Sequence, residues 1–176
     1  MTDPAELPEA TYETATFTIA DGRITARFGL TMDNHVEEVW AALTDPAKVV
    51  DWLAPGTIEL KPGGSVKLNF TDSGIVIDST VTAYEPGRLL EYSWSGPGEP
   101  DRPIRYELEP VGAGCGFNLT LSVPESEDAG RSAAGWAAHL DMLVCALAGA
   151  PIKFPFETFK GARDLFRARL AGEAPA

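Results

Sequence analysis

Cysteine and histidine are scarce in this 176-residue chain, with two of each. Cys115 and Cys145 stand 30 positions apart and outside any CxxC pattern. That spacing argues against a disulfide framework or a cysteine zinc site, and both thiols are expected to pack as small reduced hydrophobes. Basic residues are also few, 14 against 26 acidic ones, and the net charge of −12 disfavours nucleic acid and anionic membrane surfaces as partners. No apolar run approaches the ~20 residues of a membrane span, and MTDPAELPEA lacks the basic and apolar regions of a signal peptide, so the expected location is the cytoplasm. Catalytic motifs are missing too: there is no GxSxG, HExxH, Walker or dinucleotide glycine pattern. The run Gly112 to Gly116 precedes a strand rather than a helix and reads as a hairpin turn. No catalytic residue, metal or cofactor is expected.

What the chain does contain is a core. At 44% hydrophobic it can bury one without staples. The stretch GWAAHLDMLVCAL, Gly135 to Leu147, carries Trp136, Leu140, Leu143, Val144 and Leu147 at helical spacing, an apolar stripe wide enough to cover a sheet. Glu125, Glu127 and Asp128 place negative charge at its start, where the helix dipole is positive, and Gly149 with Pro151 ends it.

Ahead of it, period-two patterning dominates. Ala15, Phe17 and Ile19, then Ile24 to Met32, read as two strands joined at Asp21-Gly22. Asp33-Asn34 offers a cap for a helix ending at Thr44, and Asp45-Pro46 restarts a second short one. Alternation then runs through Ile58 and Leu60; Val66, Leu68 and Phe70; Ile75, Ile77, Ser79 and Val81; Leu90, Tyr92 and Trp94; Ile104, Tyr106 and Leu108; and Cys115 to Val123. One parity of each run is apolar, as an antiparallel sheet with one covered face requires. The predicted class is α+β, a curved antiparallel sheet wrapped around a long C-terminal helix. Residues 1–11 read as a flexible acidic tail, 12–150 as the main domain, and 151–176 as an amphipathic helix, from about Phe156 to Leu170, with its tail.

This order resembles the helix-grip fold of the birch-pollen-allergen and START lipid-transfer superfamily. The segment Val39 to Pro46, Trp52-Leu53, Pro62-Gly63-Gly64, Glu85 to Leu90 with Trp94, and Gly135-Trp136 with Leu140, Asp141 and Leu143 sharpen it. Over roughly residues 24 to 148 they resemble the activator of heat-shock protein 90 ATPase homologue family. The resemblance implies a bacterial domain that is not characteristically enzymatic, with no shared catalytic residue to carry over, and the basic helix beyond Pro151 lies past the usual family pattern.

The inward parity mixes apolar walls with hydroxyl and indole groups, which suits a small-molecule pocket. Phe70, Ile77, Ser79, Tyr92, Trp94, Tyr106 and Phe117 from the sheet, with Trp136, His139 and Leu143 from the helix, are the candidate ligand-binding residues. The alternative is a fully packed core whose tyrosine hydroxyls reach the rim. His139 follows Trp136 by three positions and precedes Leu143 by four, so it can lean toward the sheet, whereas His35 reads as an exposed residue beside a helix cap. Trp40 and Trp52 read as core anchors. The favoured function is non-enzymatic binding of a small hydrophobic or amphipathic molecule between the long helix and the sheet. A chaperone-associated interaction domain, with a chaperone or a homodimer partner, and a cyclase or aromatase-type enzyme using Tyr92, Tyr106 or His139 remain as alternatives.

Overall fold

The structure, a computed structural model, describes residues 15–70, 73–96 and 98–172. The acidic tail expected over residues 1–11 lies outside them. Eight antiparallel strands form one sheet in the order β1-β2-β8-β7-β6-β5-β4-β3. They are β1 (Thr16–Ala20), β2 (Arg23–Met32), β3 (Gly56–Ile58), β4 (Ser65–Phe70), β5 (Ile75–Glu85), β6 (Leu89–Tyr92), β7 (Ile104–Val111) and β8 (Gly114–Pro124). The helices are α1 (Val36–Thr44), α2 (Pro46–Val49), α3 (Ala129–Leu147) and α4 (Phe156–Leu170). A register shift between Val81 and Ala83 interrupts the β5–β6 ladder, and such a bulge bends its strand. The expected helix-grip architecture is what the chain adopts.

Local chemistry accounts for the connections. Asp21 and Gly22 both take positive φ, 56° and 74°, the primed-turn geometry whose twist matches the strands it joins. The Asp45 carboxylate accepts from the Ala47 amide at 3.0 Å, with Pro46 at the first helical position, which needs no amide partner. The start of α1 differs from expectation: His35 occupies the cap position and no side chain caps it. Asn34 instead donates to the carbonyl of Leu147 at 3.2 Å, satisfying one of the orphan acceptors at the end of α3. Tertiary contact prevails there over the local cap.

Trp136, Leu140 and Leu143 are buried against the sheet, while Val144 and Leu147 at the C-terminal end are half-buried. Asp128 caps α3 by accepting from the Arg131 amide at 3.1 Å. It also holds the Arg167 guanidinium, which keeps the Asp128 carboxyl below its usual range. That pair ties α4 to the start of α3. Phe166 of α4 is buried against Phe17 and Phe28, with ring centroids at 5.0 and 6.1 Å, and Arg169 donates to the Ala15 carbonyl. Gly130 allows the close approach, because a Cβ there would lie 2.8 Å from Arg167 Cγ and 3.2 Å from its backbone nitrogen. Three expected core positions stay in water: Phe156 at the head of α4 is 64% exposed, and Ile19 and Ile75 lie beyond the covered face at the ends of their strands. Leu60 likewise falls outside β3.

Candidate functional site

Side chains from three directions meet between α3 and the sheet. Tyr92 on β6 and Tyr106 on β7 point inward and are wholly buried, and their hydroxyls share one hydrogen bond at 2.6 Å. Burial pushes both phenols well above their ordinary range, with the hydrogen bond between them a smaller influence. Each therefore stays neutral at physiological pH. Trp136 stands edge-on to Tyr106 at 6.3 Å, and Phe117 on β8 lies 6.1 Å from Tyr106.

Trp94 has left the strand that the alternating pattern assigned to it, since β6 ends at Tyr92. Its φ is +57°, a conformation that costs a non-glycine residue about 1–3 kcal/mol. The distortion turns the indole back over the cluster, stacked on Tyr92 at 5.7 Å and edge-on to Phe70 at 5.9 Å and Trp136 at 4.9 Å. Arg102 secures the loop that carries it. Its guanidinium donates twice to the Glu127 carboxylate, at 2.7 and 2.8 Å, and once to Ser95 Oγ at 3.0 Å. The Arg102 hydrogen bonds hold the Glu127 carboxyl below its usual range.

His139 faces the same cluster from α3. Its Nδ1 lies 2.9 Å from the Trp52 carbonyl, which can only accept, so Nδ1 carries the proton and Nε2 presents a lone pair. Burial lowers its pKa, against a smaller opposing effect of that hydrogen bond. Phe70, Trp136 and Phe154 surround the imidazole at 5.8, 6.1 and 5.4 Å. Ser79, on the inward face of β5, is 4% exposed, and its Oγ finds no hydrogen-bond partner among the described residues. Ile77 packs half-buried on the same strand, and Leu143 is fully buried one turn beyond His139.

Nine of the ten expected residues thus lie on the inner faces of the sheet and α3, Trp94 reaches them from the loop after β6, and seven of the ten are joined ring to ring. The rings occupy the space between helix and sheet. Two surface depressions lie elsewhere, a groove of about 300 Å³ on the outer sheet face beside Arg88, Arg105 and Glu107, and one of about 170 Å³ beside Lys48, Asp51 and Trp52. Two participants escaped the sequence reading. Trp52, expected as an anchor only, is buried, donates to the Ala42 carbonyl at 2.7 Å and orients His139 through its own carbonyl. Phe154 arrives from the segment after α3; an aromatic residue set between Pro151 and Pro155 was the only sign of it.

Known structures share this architecture. A conserved protein of unknown function from Enterococcus faecalis, EF2215, superposes with a TM-score of 0.76 at 19% identity, over 94% of this chain and 95% of that one. The Bordetella parapertussis protein encoded by BPP1335 gives 0.72 at 28% identity, over 96% and 95%. CalU16 from Micromonospora echinospora gives 0.72 at 21%, over 88% and 97%. No curated protein matches the chain in sequence. Residues 33–148 match the family pattern described as Activator of Hsp90 ATPase homolog 1-like protein. With two thirds of its length covered by that pattern, and with the fold the pattern implies, the chain belongs to the Activator of Hsp90 ATPase homolog 1-like family.

Proposed function

We propose that the protein is a non-enzymatic receptor for a small, flat, largely apolar molecule, held between α3 and the sheet where the aromatic rings now meet. The observation that carries this reading is the Ser79 hydroxyl, buried on the inward face of β5 with no hydrogen-bond partner among the described residues. An unmet buried hydroxyl costs about 1–3 kcal/mol, which an apolar residue of similar size would avoid. A ligand polar group bonding to Ser79 recovers that cost and fixes the ligand's orientation.

Space for the ligand comes from Trp94. Its indole is only half-buried, and its backbone is in a left-handed conformation that relaxes when the residue swings outward. The strain released in that movement offsets part of the ring packing it gives up. Acid–base chemistry is less well supported. Tyr92 and Tyr106 satisfy one another, and their raised pKa values oppose transfer of a proton at neutral pH.

A thermal-shift screen of planar aromatic amphiphiles, followed by native mass spectrometry on the hits, tests the reading. A ligand at a hundred times its Kd should stabilise the fold by about 2.7 kcal/mol, and the shift at a fixed ligand concentration should grow in Trp94→Ala, where the space is open without displacing the indole. Absence of any shift or retained mass across the panel would overturn it.

A further inference from the structure

The segment between α3 and α4 lies outside the matched family pattern, yet it sends one side chain into the candidate site. Phe154 stands edge-on to His139 with centroids 5.4 Å apart, and it continues to Phe156 at 4.9 Å and Phe159 at 5.8 Å. It is the third ring around the imidazole, after Phe70 and Trp136, and it comes from the least constrained element of the three. Among the described residues no backbone hydrogen bond holds residues 151–154, and the segment leaves α3 through Gly149 at φ +80°. Its far end is fixed independently, because α4 is docked by Phe166 and by Arg167 on Asp128. Phe154 can therefore move without α4 moving.

We infer that Phe154 is an internal stand-in for the ligand, occupying an aryl subsite beside His139 that takes the ring of an aromatic alcohol whose hydroxyl donates to His139 Nε2. This deepens the ligand-binding reading and rests on it. The chemical class follows from two facts. An edge-to-face aromatic neighbour already fills the position, so its walls suit a ring. Nε2 of the imidazole has no hydrogen-bond partner among the described residues, and the tautomer fixed by the Trp52 carbonyl makes it an acceptor. A phenol supplies a donor where a carboxylate or a ketone supplies none. Because the chain's own ring must leave first, the intrinsic affinity of the subsite is reduced by the fraction of molecules in which Phe154 is out.

Isothermal titration calorimetry with 2-naphthol, and with 2-methylnaphthalene as the analogue without a donor, tests this on wild type, Phe154→Ala, Phe154→Leu and Phe154→Ala/His139→Phe. Circular dichroism checks that each variant folds. Phe154→Ala should bind 2-naphthol at least tenfold more tightly than wild type, with Phe154→Leu between them. Phe154→Ala should prefer 2-naphthol by roughly fivefold, about 1 kcal/mol for one hydrogen bond, and the double variant should lose that preference. Equal 2-naphthol affinity in wild type and Phe154→Ala overturns the stand-in, and a preference that survives His139→Phe overturns the role of Nε2; in both cases the receptor reading stands. No binding of either compound to any variant overturns both.

Discussion

The hydroxyls of Tyr92 and Tyr106, from neighbouring strands β6 and β7, lie 2.6 Å apart, each the other's hydrogen-bond partner. Removing either one orphans the other in a wholly buried place. Tyr92→Phe and Tyr106→Phe should each cost about 1–3 kcal/mol, while the double variant should be close to wild type, because two matched apolar edges replace two matched polar ones. Chemical denaturation of the four proteins measures the coupling. Strictly additive single costs would show that the pair contributes nothing as a unit.

Ser79→Ala should act in the opposite direction. Removing a buried hydroxyl that no described residue satisfies is expected to stabilise the fold by about 1 kcal/mol, which raises Tm by roughly 2–4 °C at this chain length. The same change should weaken any ligand that stabilises wild type. A drop in Tm would mean that the hydroxyl is satisfied in the native protein.

The lowered pKa of His139 gives a signed pH dependence. Below about pH 6.5 the unfolded imidazole takes a proton that the folded one resists, so the unfolded state binds more protons and stability falls with falling pH. The loss begins near the unfolded value and ends at the lowered folded one, and above pH 7 this contribution is constant. His139→Phe should flatten that part of the Tm profile. Identical slopes below pH 6.5 in the two proteins would contradict the buried neutral imidazole.

The docking of α4 depends on close packing and then on charge. Phe166→Ala should cost about 3–5 kcal/mol, as expected for a fully buried ring. Gly130→Leu should separate the helices, since even a Cβ at that position meets the Arg167 backbone at 3.2 Å. Asp128→Ala removes a helix cap and an exposed ion pair, and should cost only about 1 kcal/mol, mostly from the cap. Urea midpoints rank the three, and a larger effect from Asp128→Ala than from Phe166→Ala would reverse this account.

The amino-acid sequence alone determined the succession of strands and helices, because that information is local. Alternation from Ile104 to Leu108 and from Cys115 to Val123 states which face of each strand is covered, and the spacing of Trp136, Leu140 and Leu143 states which face of α3 covers it. The membership of the aromatic cluster was legible for the same reason: inward parity names its residues without their coordinates. Parity carries no distances, however. Whether the rings of Tyr92, Trp94 and Trp136 enclose space or fill it depends on how far apart the helix and sheet settle. Trp94 also broke the alternation through a positive φ that no pattern signals. The partnership of His139 with the Trp52 carbonyl and with Phe154 joins parts of the chain that share no periodicity. Only the tertiary structure decided those contacts, because they are set where independently folded segments meet.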